Sequence, residues 1–139
     1  MTDGLTLIDT SAWLRFFEPG AYGEPEVADE VERLVLSGRA CYTEPIYLEI
    51  AAGAGDEKTL QGFKRDFSVL MLKSVCVQDI WTRAADSYPA LVKKGFRKKA
   101  IDVLIASVAR HYGLTLFHHD SDYQTIARAV ELDQYSFLE

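Results

Sequence analysis

Short apolar runs alternate along this chain with longer stretches in which apolar side chains return every three or four positions. Residues 5–8, Leu-Thr-Leu-Ile, form the continuous apolar-rich run that a buried strand requires. Trp13, Phe16 and Phe17 then fall at i, i+3 and i+4, so residues 11–17 read as a helix with one aromatic face. Pro19, Gly20, Gly23 and Pro25 predict a loop. Val27, Val31, Leu34 and Val35 share one face of a helix over 26–37, which Gly38 ends. A short strand follows at 39–42. Pro45 suits the first turn of the next helix, which carries Ile46, Leu48, Glu49 and Ile50, with Thr43 or Glu44 as its cap. Beyond a turn at 53–56, the pattern predicts a helix over 57–67 and a strand within 68–73. Ile80, Ala84, Tyr88 and Leu91 predict one amphipathic helix over 78–94. The clearest helix covers 101–112, where Ile101, Leu104, Ile105, Val108 and Tyr112 keep helical spacing up to Gly113. A strand at 115–117, a helix at 123–130 and an edge strand at 133–135 complete the series.

Helices and strands alternate throughout, without an internal repeat, a low-complexity segment or a linker. That order predicts an α/β protein, a three-layer α/β/α sandwich around a mainly parallel sheet, with residues 1–139 as a single domain. The length of 139 residues and the 48% hydrophobic content agree with one domain and a sizeable core. The net charge of −6 argues against a broadly basic nucleic-acid binder, but not against a local basic groove. No apolar run is long enough to span a bilayer, so no membrane association is expected. Residues 1–4, Met-Thr-Asp-Gly, lack the basic start of a secretory signal. Cys41 and Cys76 form neither a close metal-ligand pair nor a disulfide framework, and read as two buried thiols in a reducing cytoplasm.

Four acidic residues change the picture. Asp9 ends the first apolar run, Glu49 sits inside the apolar segment 46–50, Asp102 opens the clearest helix, and Asp120 follows the strand at 115–117. Carboxylates beside apolar surface are costly unless paired, hydrogen-bonded or bound to a cation. In a parallel sheet, ligand sites form outside the carboxyl ends of the strands, an edge that Asp9 and Asp120 both reach. Asp102 in a first helical turn is favoured there by the helix dipole. All-oxygen ligation suits Mg²⁺ or Mn²⁺ better than zinc. One or two such ions activate water, orient a phosphodiester and stabilise the leaving oxygen. Taken singly, Asp9 also reads as a cap, Glu49 as an exposed helix residue and Asp102 as a helix-terminus charge.

These motifs resemble those of the PIN-domain ribonucleases. Residues 8–13, Ile-Asp-Thr-Ser-Ala-Trp, look like the opening motif of that family, and Glu49 within 44–50 matches its helical glutamate. Residues 101–106, Ile-Asp-Val-Leu-Ile-Ala, match the third acidic motif, and 116–123, Leu-Phe-His-His-Asp-Ser-Asp-Tyr, the fourth. Size and order are similar to the VapC toxins of bacterial toxin–antitoxin pairs. The resemblance implies an endoribonuclease dependent on Mg²⁺ or Mn²⁺, a homodimer, held inactive by a small VapB-like antitoxin. It implies that Asp9, Glu49, Asp102 and Asp120 bind metal directly or through water, and that the RNA products carry 5′-phosphate and 3′-hydroxyl ends. Two departures leave the carboxylates intact: Ser107 stands where Ala is common, and Tyr123 where Phe is commoner.

The remaining polar residues carry two readings each. Asp122 either caps the last helix or holds a metal-bound water. Thr10 and Ser11 read as caps of the first helix, and one hydroxyl as a contact to phosphate or a metal-bound water. Lys93, Lys94, Arg97, Lys98 and Lys99 are either a solvated loop or a rail for RNA phosphates, with Arg97, Lys98 and Lys99 nearest Asp102. Phe96 among them is a core anchor or a base-stacking ring. His118 and His119, adjacent on a strand, point to opposite faces and read as structural or substrate-edge groups rather than a ligand pair. His111 reads as a favourable cation at a helix end. Trp13, Phe16 and Phe17 read as core first and as a protein contact second. A rival enzyme class, the haloacid-dehalogenase type of aspartyl phosphatase, wants a second Asp two positions after the first, where this chain has Ser11. A second rival is a non-catalytic PIN-like module that binds RNA or protein, against which the retention of all four acids speaks.

Overall fold

The computed structural model describes residues 4–97 and 99–138. The readings made above of Met1, Thr2, Asp3 and Lys98 lie outside them. Among the described residues, five strands form one sheet: β1 (Thr6–Ile8), β2 (Ala40–Tyr42), β3 (Met71–Leu72), β4 (Thr115–Phe117) and β5 (Gln134–Tyr135). Their order is β3-β2-β1-β4-β5 and every pairing is parallel, so the sheet is wholly rather than mainly parallel. β1 lies at the centre, with Leu7 beside Leu116 on one side and Cys41 on the other. Leu7, Ile8, Leu116 and Phe117 are fully buried. Central parallel strands are covered on both faces by crossover helices, which is why β1 reads as a continuous apolar run and not as an alternation.

The helices are α1 (Thr10–Phe17), α2 (Pro19–Tyr22), α3 (Pro25–Leu36), α4 (Glu44–Ala52), α5 (Glu57–Phe67), α6 (Gln78–Asp86), α7 (Tyr88–Lys93), α8 (Ala100–Tyr112) and α9 (Ser121–Ala129). α1, α3, α4 and α5 pack on one another, and α6, α7, α8 and α9 form a second group. Right-handed crossovers place these groups on opposite faces of the sheet, giving the expected three layers. α4 also touches α8, so the two groups meet at the carboxyl edge of the sheet.

Two segments depart from the pattern read in the sequence. The single helix expected over 78–94 is two, α6 and α7, which break at Ser87. Pro89 is the reason: it has no N–H for the ladder, and its ring would strike the carbonyl one turn earlier in a continuous helix. It sits instead in the first turn of α7, where neither cost applies. The loop expected around Pro19 contains the one-turn helix α2, because Pro19 at the start is already set in a helical φ. Gly23, at a φ of 70°, ends it in a conformation that a side chain resists.

The core is aromatic on the α1 side. Phe67 packs against Trp13, Tyr42 and Tyr47 at ring-centre distances of 5.0, 5.1 and 5.5 Å. On the other side, the buried Ser107 hydroxyl donates to the Ile80 carbonyl at 2.8 Å and ties α8 to α6. An alanine there would leave that cross-link unmade. The expectation of two buried thiols fails at Cys76. Cys41 is buried in β2, and burial pushes its thiol up to about 12, whereas Cys76 is exposed in the loop after β3. Both are free.

The chain builds outward from β1 through β2 to β3, then returns to lay β4 on the other side of β1. The connections leaving β1 and β4 therefore diverge, opening a crevice at their carboxyl ends, where α/β sheets bind ligands. The aromatic hub is the packing that holds α1 and α5 on the sheet below this edge. Phe67→Ala is expected to destabilise the fold by about 3–5 kcal/mol, the scale of a large core truncation, as read by urea unfolding.

Candidate metal centre

Asp9 leaves the end of β1 buried, with 4% of its surface exposed. It is the N-cap of α1, as its cap reading expected, while Thr10 and Ser11, also read as caps, lie inside the helix. Its Oδ2 accepts the Ser11 N–H at 3.0 Å and the Ser11 hydroxyl at 2.6 Å. Its Oδ1 accepts the Tyr123 hydroxyl at 2.7 Å. Ser11 Oγ also accepts the His119 N–H at 2.9 Å, which locks the turn after β4 to the start of α1. Thr10 reaches the other way and donates its hydroxyl to Glu49 Oε1 at 2.6 Å. Both hydroxyls thus hold carboxylates rather than helix N–H groups.

Asp120 caps α9, its Oδ1 accepting the Asp122 N–H at 2.9 Å. The reading of Asp122 as that cap is thereby corrected: it lies inside the first turn, where its Oδ2 meets Lys99 Nζ at 2.5 Å. Asp102 occupies the first turn of α8, with Oδ1 3.4 Å from the Tyr123 hydroxyl. Asp9, Asp102, Asp120 and Asp122 therefore sit at the N-termini of α1, α8 and α9. Each such terminus offsets part of the cost of an adjacent negative charge, by about 0.3–1 kcal/mol.

The close group among the described residues is Asp102, Asp120 and Asp122, with one carboxylate oxygen of each within 4.8 Å of the others. Asp9 adjoins this triad through the Tyr123 hydroxyl. Glu49 stands on the exposed side of α4, joined to α1 through Thr10. Of the four acids expected to converge, two therefore lie in the tight group and two at its margin, and Asp122 enters it. Burial first, then the charges of Asp9, Asp120, Asp122 and Glu49, push the Asp102 carboxyl up to about 7. Desolvation also raises Glu49, with Asp9 adding to it and the Thr10 hydrogen bond opposing it. Lys99 is held above its ordinary range by its bond to Asp122, with Asp120 and Asp102 contributing.

This donor set fits a hard divalent cation. It is all carboxylate oxygen, and at Asp102 burial and the neighbouring negative charges both disfavour the ionised carboxylate, a cost that a bound cation would offset. The histidines do not shift it toward zinc. His118 is buried, with Nε2 2.6 Å from Gln134 Oε1 and Nδ1 accepting the Asp120 N–H at 3.2 Å. Burial pushes its pKa down, so it stays neutral and structural. His119 points toward Glu24, 3.5 Å away.

Of the basic cluster, Lys93, Lys94 and Arg97 are exposed and Lys99 is joined to Asp122, while Lys98 lies outside the described residues. Phe96 is buried, so it anchors the core and offers no face to a base. The Tyr123 hydroxyl is the participant that sequence reading passed over. Its signal was present: a tyrosine on a buried helix face must find a partner for its hydroxyl. Burial and the neighbouring acids hold its pKa well above the ordinary value, so it remains a donor.

The PIN domain family profile matches residues 6–129. Ribonuclease VapC11 of Mycobacterium tuberculosis is 38% identical over 138 residues, which span 96% of this chain and 99% of that protein. Ribonuclease VapC21 of the same organism is 34% identical over 109 residues, spanning 74% and 76% of the two chains. Among solved structures, VapBC2 from Rickettsia felis, bound to a DNA fragment from their promoter, superposes with a TM-score of 0.73. That match covers 96% of this chain and 99% of the other at 15% identity, and is a likeness of fold.

In the metal-free protein, Asp102 binds its proton more tightly when folded than when unfolded. That preference stabilises the fold fully below the ordinary value of 3.8 and is lost as pH rises through about 7. His118 acts in the opposite sense, because its folded state binds the proton less tightly. Comparison with Asp102→Asn isolates the carboxylate. In EDTA, the melting temperature of the variant relative to wild type should climb between about pH 4 and pH 8. A difference that stays flat across that range would show that burial and the neighbouring charges do not raise the Asp102 carboxyl.

Proposed function

The chain belongs to the PIN-domain family, and from that premise we propose that it is a metal-dependent endoribonuclease, the toxin of a VapBC-type pair. The observation that carries this reading is the convergence of carboxylates at the crevice between β1 and β4. Residues 1–139 act as one such domain. Asp102, Asp120 and Asp122 would hold the ion, with Asp9 and Glu49 beside them, directly or through water. Mg²⁺ or Mn²⁺, when bound, supplies water activation and charge neutralisation for in-line displacement at a phosphodiester.

The chain's own residues supply the rest. Asp9 is oriented from both of its oxygens, by Ser11 and by Tyr123. Thr10 fixes Glu49 at the margin of the site through its hydroxyl. Lys99, already against Asp122, places positive charge beside the acids, where an RNA phosphate would otherwise be repelled, and the exposed Arg97 lies two residues before it in the chain. Lys98 extends this run in sequence. VapC11 and VapC21 are named ribonucleases, and the Rickettsia structure holds a VapBC pair, which supports RNA as substrate and a VapB-like antitoxin as partner. The homodimer expected from the sequence and a cytoplasmic setting belong to the same reading. No helix of the described residues is long and apolar enough to cross a membrane.

The test is cleavage of total cellular RNA by the purified, antitoxin-free protein with Mg²⁺, Mn²⁺ or EDTA. Cutting should require the metal and fall at least about 100-fold in Asp102→Asn, the scale on which one charge-stabilising group registers. The fragments should carry 5′-phosphate and 3′-hydroxyl ends. A cyclic 2′,3′-phosphate would sink the proposed chemistry, and RNA binding without cutting at any metal would leave a non-catalytic module.

A further inference from the structure

Tyr123 is fully buried in the first turn of α9, its ring 5.0 Å from that of His118. Its hydroxyl reaches the acids of two other elements: Asp9 Oδ1 at 2.7 Å, from the end of β1, and Asp102 Oδ1 at 3.4 Å, from the first turn of α8. A phenol has one proton to donate. The short contact takes it, and the longer one sets a spacing. Asp9 is nearly sealed from water, and its other oxygen is already held by Ser11. The tyrosine therefore completes a two-sided clamp whose arms come from α1 and α9.

From this arrangement we propose that Tyr123 is a positioning residue for the metal centre. Its hydroxyl fixes the plane of the Asp9 carboxylate and holds it apart from Asp102, so that the two acids meet a divalent cation already oriented. Without the hydroxyl, Asp9 Oδ1 loses its donor and the carboxylate is free to turn about Oδ2. The acids would then have to be reorganised each time an ion binds. The inference rests on the metal-centre reading above. Supporting contacts to metal ligands are worth about 10–100-fold in affinity when removed.

Tyr123→Phe tests it, because the ring and its packing stay while the hydroxyl goes. Mn²⁺ binding is measured directly by calorimetry on wild type, Tyr123→Phe, Asp9→Asn and the double variant. Wild type should bind Mn²⁺, and Tyr123→Phe should bind it about 10–100-fold more weakly. In the Asp9→Asn background the tyrosine substitution should add little, since it acts through Asp9. On an RNA oligonucleotide, KM should hold while kcat falls at limiting Mn²⁺ and recovers at excess, which a general loss of structure would not do. The Mn²⁺-induced rise in melting temperature, taken against each variant's own metal-free value, gives the same comparison if Tyr123→Phe is less stable. Equal Mn²⁺ affinity in wild type and Tyr123→Phe overturns the positioning role and leaves the metal centre standing. Failure of wild type to bind Mn²⁺ overturns both.

Discussion

Mutual repulsion among carboxylates at one sheet edge is the constraint around which the neighbouring structure is arranged. Two such charges about 4 Å apart repel by roughly 1 kcal/mol in water and about 4 kcal/mol at the effective dielectric of a protein surface. At Asp102 this repulsion adds to the larger effect of burial, and together they raise its carboxyl to about 7. The surrounding groups answer the repulsion in different ways. Three helix N-termini point their dipoles at the acids, Lys99 pairs with Asp122, and the hydroxyls of Thr10, Ser11 and Tyr123 orient individual oxygens. Hydroxyls orient without neutralising, so the site keeps the surplus negative charge that a hard cation would take up.

The parallel sheet is what makes such a site possible. Its strands are only two or three residues long, yet β1 and β4 run side by side in register from Thr6 beside Thr115 to Ile8 beside Phe117. The residues that follow each strand therefore emerge at the same height. Asp9 comes one position after β1 and Asp120 three positions after β4, and the His119-to-Ser11 hydrogen bond ties the two exits together. α8 arrives from the opposite layer and contributes Asp102 from its own first turn. The layer that carries α4 contributes Glu49 at the margin. The acids thus come from four separate stretches of chain, and rigid elements fix each of them.

Local chemistry explains which parts of this could be read in advance. The apolar run at residues 5–8, the spacing through α8 and its stop at Gly113 are near-neighbour patterns, and the strands and helices they predict are present. Failures came where one residue outweighed the periodicity. Pro89 broke the helix over 78–94, although the apolar spacing continued through it. Pro19 made a turn of helix in a segment that otherwise reads as breakers. Cys76 followed no packing pattern, and its exposure depended on where the loop after β3 runs.

By itself, the sequence determined the alternation of elements, the parallel α/β architecture and the acidic motifs, because hydrophobic periodicity and strand-end position are local properties. Tertiary structure decided which carboxylates meet. Asp122 joined Asp102 and Asp120 because α9 starts one residue earlier than Asp122, at a turn capped by Asp120, so the side chain faces α8. Glu49 stayed at the margin because α4 presents it outward. The bridge from Tyr123 to Asp9 spans 114 positions of chain, a separation over which no local pattern carries information. Only the packing of α9 against the end of β1 brings those two oxygens to hydrogen-bonding distance.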